Sequence, residues 1–171
     1  DVYKRQGLGM AVFCEQGAHG TSVYHGWGIP MVPGYEQCTA RFTPDGILEL
    51  RIGVHSHGQG LETSMAQVAH TVLGIDIAKV RVIHGDTGMT PYSTGTWGSR
   101  CAVMAGGAVG TACEQLAERI KVMAGVLLET DAKLMTLKDG TVGVQDSVKR
   151  LSLSEIAHTW YRACLLYTSD A

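Results

Sequence analysis

The segment His55-Ser56-His57-Gly58-Gln59-Gly60-Leu61-Glu62-Thr63 constrains this chain more than any other, because its neighbours fix the structure on both sides of it. Before it, Leu48, Leu50, Ile52 and Val54 alternate with Glu49 and Arg51, the period-two pattern of a half-buried strand. After it, Leu61, Met65, Val68, Ala69, Val72 and Leu73 recur at helical spacing, and Gly74 stands where a helix C-cap is expected. A glutamine between two glycines therefore falls at a strand-to-helix junction. Glycine lets backbone approach a ligand closely. The first helical turn offers unpaired N–H groups to an anion, and an amide side chain both donates and accepts hydrogen bonds. The pattern predicts a ligand cradle.

The two ends read differently. Asp1–Gln6 can be encoded by a DNA stretch whose reverse complement, shifted in frame, reads through Cys164-Leu165-Leu166-Tyr167-Thr168-Ser169. An inverted DNA repeat at both ends of a protein resembles translated sequencing-library ends rather than a folding signal. Residues 1–6 and 164–171 are accordingly expected to be adapter-derived and are set aside from fold reasoning. Residues 7–163 are expected to be a fragment of one domain, with some apolar surface lacking its natural cover.

The formal net charge of the 171-residue chain is −2, and setting the ends aside removes two charges of each sign. No basic stripe for nucleic acid is present, and no apolar run reaches the ~20 residues that a bilayer span needs. Cys14, Cys38, Cys101 and Cys113 lack CxxC spacing, which favours reduced thiols and a cytoplasmic location.

Strands are expected over Gly9–Glu15, Tyr35–Phe42, Ile47–Val54 and Lys79–His84, the middle two forming a hairpin over Thr43-Pro44-Asp45-Gly46. Gly17–Gly34 reads as a loop. A long helix is expected from Ala102 to Glu129, with Ala105, Val109, Ala112, Leu116, Ile120, Met123 and Leu127 on its buried stripe. A second hairpin over Lys138-Asp139-Gly140 and an amphipathic helix opened by Ser154-Glu155 complete the chain. The class is α+β, a mixed sheet with helices packed on it, without the strict alternation of a doubly wound sheet.

A second loop, Gly85 to Arg100, also joins a strand to a helix and is dense in Gly, Ser and Thr. Thr96, Ser99 and the N–H groups that follow suit a phosphate or a polar ring edge, and the pair of loops suggests two walls of one cleft. Arg100 suits either a phosphate or an internal carboxylate. His55 and His57 read as cleft-lining or hydrogen-bonded histidines, since no further ligand is spaced to close a zinc site. His19, His25, His70, His84 and His158 read as structural or exposed. Cys101 reads as a small buried apolar group. Glu62 reads as a first-turn acid favoured by the helix dipole rather than a catalytic base.

Ser56 to Val109 resembles the molybdenum-cofactor-binding large subunit of the xanthine dehydrogenase and aldehyde oxidase family, most of all its aerobic carbon monoxide dehydrogenase type. Gly58-Gln59-Gly60-Leu61-Glu62-Thr63 with Ala66-Gln67 and Leu73-Gly74-Ile75 carries the likeness. Gly85-Asp86-Thr87, Pro91-Tyr92 and Gly95-Thr96-Trp97-Gly98-Ser99-Arg100 carry it in the second loop. The resemblance implies part of a molybdenum hydroxylase that binds molybdopterin as the cytosine dinucleotide and oxidises a small substrate such as carbon monoxide, an aldehyde or an N-heterocycle. It implies iron–sulfur clusters and FAD on partner subunits in a dimer of heterotrimers, with copper only in the carbon monoxide type. Gln59, Gly60, Leu61 and Thr63 would contact the cofactor from one side, and Thr96, Trp97, Gly98 and Ser99 from the other. The family's catalytic glutamate and copper-binding cysteine fall outside these residues. Trp97 and Leu61 stand where many carbon monoxide-type relatives have tyrosine and histidine, which leaves the substrate open. A non-catalytic binding or assembly module on the same scaffold is the alternative.

Overall fold

The computed structural model describes residues 4, 6–12, 17–29 and 34–162. Its centre is the strand β2 (Leu48–Ile52), flanked by β1 (Cys38–Phe42), which pairs with it antiparallel, and by β3 (Val80–Ile83), which pairs with it parallel. The β1–β2 turn is the Thr43-Pro44-Asp45-Gly46 hairpin, closed by Gly46 N–H to the Thr43 carbonyl at 2.9 Å and Thr43 N–H to the Ile47 carbonyl at 2.8 Å. Parallel pairing of β2 with β3 needs a crossover, which the helix α2 (Leu61–Leu73) supplies. The cradle sequence lies where β2 leaves the sheet and α2 begins.

Leu48, Leu50, Ile52 and Val54 are fully buried, and α2 covers them with Leu61, Met65, Ala69 and Leu73. Burying a side chain of this size is worth about 1.5–3 kcal/mol relative to exposure, so this strand and helix form the most heavily anchored part of the fold. A long helix, α3 (Gly106–Leu128), packs on α2 and β1 and continues to a second sheet. That sheet is an antiparallel meander of β4 (Met135–Lys138), β5 (Thr141–Val144) and β6 (Arg150–Ser152). The last helix, α4 (Leu153–Arg162), begins with a reciprocal cap in which Ser152 and Glu155 bond each other's backbone N–H groups, and it packs on α3. The α+β class and the mixed sheet with helices on it follow the expected plan.

Several expectations change. Gly9–Val12 form no strand, with Leu8, Met10 and Val12 almost fully exposed, while 13–16 lie outside the described residues. The expected adapter-derived ends also lie outside them, apart from Lys4 and Gln6. Tyr35 to Gln37 leave the strand because the Tyr35 carbonyl and the Glu36 side chain bond Arg100 instead. Gly17–Gly34 contains a short helix, α1 (Thr21–Gly26), around the buried Tyr24. The long helix opens with a π-helical turn, Cys101–Ala105, and Ala105, Val109, Ile120 and Met123 of its expected stripe are buried. Cys113, Ala117, Ala124 and Leu128 are buried, whereas Ala112 and Leu116 are half-buried and Leu127 is exposed.

Cys38 and Cys113 are free thiols in the core, each pushed up to about 12 first by burial. They are packing groups rather than nucleophiles.

On the sheet face away from the helices, Glu49 is only 6% exposed and is shared by Arg41, Arg51 and Arg81 at 2.7, 3.5 and 3.4 Å. The hydrogen bond from Arg41 first, with the charges of Arg41 and Arg51, holds the Glu49 carboxyl below its ordinary range despite burial. A depressed folded-state value contributes stability above the unfolded carboxylate range near ~4.3, and that stability is lost as pH falls through the folded value. Glu49→Gln is therefore expected to lower the unfolding midpoint at neutral pH. The gap to wild type should close on acidification below about pH 4, as followed by circular dichroism melts across pH. A constant gap at every pH would exclude the charge-based account.

Candidate functional site

After Ile52 the chain turns out of the sheet at Gly53 and reaches His55. Gly53 is where the second loop crosses the strand end: a Cβ added there would lie 2.3 Å from Ser93 Cβ and 2.6 Å from the Pro91 carbonyl. Only glycine admits the crossing. The second loop then continues to Thr96, whose hydroxyl meets the backbone of His55 twice. It accepts from His55 N–H at 2.7 Å and donates to the His55 carbonyl at 2.5 Å. A single side chain thus joins two loops forty-one residues apart.

The first loop bends through Gly58 and Gly60, both left-handed, with nothing within 4 Å of where a Cβ would sit. Backbone here is open to an incoming group. Gln59 lies between them, with its carbonyl accepting His57 N–H at 2.5 Å. Its amide nitrogen faces Cys101 Sγ at 4.0 Å, a loose contact that leaves donor capacity in hand. Of the two roles that an amide side chain offers, the acceptor is engaged within the loop and the donor makes only the loose Cys101 contact. Gly60 begins α2 with no side-chain cap, so the first-turn N–H groups are not covered by a capping side chain.

The other named residues are placed as follows. The Leu61 side chain is 2% exposed and belongs to the core, so only its backbone reaches the loop surface. Thr63 is exposed on the first turn of α2. Trp97 turns inward: its indole N–H bonds the Thr94 carbonyl at 3.1 Å, its ring packs on Tyr24 at 5.3 Å, and the Arg100 guanidinium lies 5.8 Å from its centroid. The Gly98 carbonyl accepts Ala18 N–H at 2.9 Å, and Ser99 adopts a left-handed φ of 53°. Thr96 therefore touches the first loop directly, while Trp97, Gly98 and Ser99 rest on the Gly17–Trp27 segment.

Arg100 takes the internal partner. Its guanidinium pairs with Glu36, both side chains nearly fully buried, and also donates to the Gly95 and Tyr35 carbonyls at 2.8 Å each. Ser93 Oγ donates to the same Glu36 oxygen at 2.6 Å. Arg100 is thus a structural post of the second loop. Cys101 is half-buried at the seam, 3.6 Å from the Thr96 hydroxyl, so it borders the site as well as the core.

Sequence reading missed His84. It follows β3, bonds Glu62 through Nε2 at 2.7 Å, and approaches His55, Nδ1 to Nδ1, at 3.3 Å. Its signal was available in the strand: β3 is parallel to β2, so their ends lie side by side. The Glu62 carboxyl is held below its ordinary range, first by its own backbone N–H and then by His84. A base so stabilised as carboxylate is poorly matched to proton abstraction near neutrality. Among the described residues no group of three or more His, Cys, Asp or Glu side chains is arranged to hold a metal ion.

A separate apolar hollow lies between β1, α3 and α4, lined by residues such as Phe42, Ile120, Met123, Ile156 and Trp160. It carries none of the polar groups that the loops bring together, so the loops and not the hollow mark the site.

The profile of the molybdopterin cofactor-binding domain family matches residues 1–169. The nicotine 6-hydroxylase large subunit of Paenarthrobacter nicotinovorans is 33% identical over 159 residues, which is 92% of this chain and 19% of that protein. The carbon monoxide dehydrogenase large chain of Hydrogenophaga pseudoflava is 33% identical over 126 residues, 73% of this chain and 15% of that protein. The crystal structure of quinoline 2-oxidoreductase from Pseudomonas putida 86 superposes with a TM-score of 0.76 at 33% identity, over 86% of this chain and 19% of its own. The chain thus spans about a fifth or less of the length of these relatives.

The Thr96 clasp yields a direct test. Thr96→Val keeps the shape and removes both hydrogen bonds, leaving a His55 donor and acceptor without their partner. Because water can replace the lost partner at this exposed surface, the change is expected to cost about 0.5–1.5 kcal/mol of stability, whereas Thr96→Ser should retain most of it. Denaturant unfolding of the two variants checks this, and equal stability would show that the hydroxyl does not join the loops.

Proposed function

Because this chain belongs to the molybdopterin cofactor-binding domain family of xanthine dehydrogenase and aldehyde oxidase type, we propose that its two clasped loops hold the molybdopterin cofactor. The observation that carries the proposal is the Gln59 amide. Its carbonyl is tied to its own loop, and its N–H₂ is left at the seam with the second loop, beside open glycine backbone and an uncapped helix start. The donors exposed there fit a group rich in acceptors, as a pterin ring and a phosphate are, while the nearby Glu62 carboxylate is engaged by His84, Ser56 and its own backbone N–H. Gln59, the Gly60 and Leu61 backbone and Thr63 line one side. Thr96 lines the other, backed by Trp97, Gly98 and Ser99.

When bound, the cofactor supplies the redox-active molybdenum at which a small substrate is oxidised. The residues of this chain bind and orient the cofactor; none of them acts as the base. We take the whole protein to be a molybdenum hydroxylase large subunit of the cytoplasm, using the cytosine dinucleotide form, with iron–sulfur and FAD-bearing partner subunits in a dimer of heterotrimers. No helix among the described residues is long and apolar enough to cross a membrane. For substrate we propose a small N-heterocycle, aldehyde or carbon monoxide, with copper required only for the last. Relatives named for nicotine hydroxylation and for carbon monoxide dehydrogenation are equally identical to the chain. The departures at Leu61 and Trp97 involve side chains turned into the core and onto Tyr24. Neither side chain selects among these substrates from this wall.

In the intact subunit, Gln59→Ala is expected to weaken cofactor retention about five- to a hundred-fold, the equivalent of ~1–3 kcal/mol for a ligand atom left unpaired. Glu62→Gln should lower stability modestly through the helix dipole and keep turnover. Metal analysis and turnover on both variants decide. Unchanged molybdenum in Gln59→Ala would remove the cradle assignment, and full cofactor without turnover in Glu62→Gln would make Glu62 the base.

A further inference from the structure

We propose that Glu62, His84 and His55 form a hydrogen-bonded brace that positions the Gly58–Gly60 loop, with His84 as its positioning residue; the inference rests on the reading of that loop as a cofactor wall. The three residues come from three elements of the β2–α2–β3 unit. His55 follows β2, Glu62 lies in the first turn of α2, and His84 follows β3. Glu62 Oε1 lies 2.7 Å from His84 Nε2, and its other oxygen accepts from Ser56 Oγ at 3.4 Å. His84 Nδ1 lies 3.3 Å from His55 Nδ1, with the rings edge to face at 5.2 Å.

The chemistry assigns the protons. A carboxylate only accepts, so His84 carries its proton on Nε2. In the neutral ring its Nδ1 is then an acceptor, and the hydrogen between the two Nδ1 atoms belongs to His55. With His84 neutral, the chain of bonds runs from His55 to His84 to Glu62 and leaves Nε2 as the free nitrogen of His55. Gly85 makes room for this contact: a Cβ there would lie 3.0 Å from His55 Nδ1. The other titratable groups nearby are accounted for. The His57 ring stands 6.3 Å from that of His55, and the Asp86 carboxylate is turned to Gly88 N–H at 2.8 Å.

The brace and the Thr96 clasp grip the same residue from two directions. Thr96 holds the His55 backbone, and His84 holds its ring. His55 is the residue at which the chain leaves the sheet for Gln59, so its position sets where the Gln59 amide stands. The Glu62 side chain is 50% exposed, and an ion pair open to solvent adds little to global stability. The effect of the brace is therefore local, on the order of the loop.

Hydrogen–deuterium exchange by mass spectrometry on the intact large subunit in its complex tests this, with molybdenum content measured on the same samples. His84→Phe keeps a ring and removes both nitrogens. Glu62→Ala removes the acceptor at a half-exposed site that the fold tolerates. Glu62→Gln keeps a carbonyl acceptor for His84. The first two are expected to speed exchange in the peptide spanning His55 to Leu61 about fivefold, as for loss of one net hydrogen bond, with reduced molybdenum. Glu62→Gln should stay near wild type in both. Unchanged exchange in His84→Phe and Glu62→Ala, or exchange in Glu62→Gln as fast as in Glu62→Ala, overturns the brace. Gln59→Ala separates the two readings. If it loses molybdenum while His84→Phe leaves exchange unchanged, the cofactor wall stands and the brace falls. If it keeps molybdenum while His84→Phe speeds exchange, the brace stands and the cofactor wall falls.

Discussion

The Thr96 hydroxyl bonds both the N–H and the carbonyl of His55, and the site depends on that double contact. It ties the first loop to the middle of the second, as His84 ties it to the strand end where the second begins. The first loop is built on glycines and is almost wholly exposed. The second is a long irregular run whose own supports, Glu36, Arg100 and Tyr24, lie on its far side. The Thr96 contact is possible only because Gly53 lets the second loop cross the end of β2. A residue with no side chain and a residue with one hydroxyl together convert two surface loops into adjoining walls.

Beneath the site the fold is rigid where it needs to be. β2, α2 and α3 share one apolar core, so the points from which both loops depart are held by several kcal/mol of buried side chains. The second loop carries strain at the left-handed Ser99, whereas the left-handed turns of the first loop fall at Gly58 and Gly60, which adopt them freely. Strain of that kind collects at ligand-binding segments supported by a stiff frame.

Much of this was legible in the sequence, for physical reasons that can be stated. α2 was readable to the residue because its apolar stripe, its glycine start and its Gly74 cap all coincide. The β1–β2 hairpin was readable from its turn chemistry, and the meeting of the two strand-to-helix loops from their shared richness in small polar residues. Long-range pairings were not readable. Nothing local in Tyr35-Glu36-Gln37 reveals that Glu36 will neutralise a buried Arg100 sixty-four residues away, which draws the segment out of its strand. The stripe of α3 was largely readable, Ala105, Val109, Ile120 and Met123 being buried, while the π turn that opens the helix costs nothing visible in composition. His84 looked like one of several scattered histidines until parallel pairing placed it beside His55. β6, three residues long, is strand only because β5 lies beside it.

On the reading proposed above, Gln59 and Thr96 face one bound cofactor from two sides. A cryo-electron microscopy or crystal structure of the intact, cofactor-loaded subunit tests it most directly. The expected result is the Gln59 amide nitrogen within about 3 Å of a cofactor acceptor atom, with the Thr96 loop against the same cofactor and the His55 clasp intact. A cofactor bound away from both loops, or one touching the second loop while Gln59 points to solvent, would contradict it.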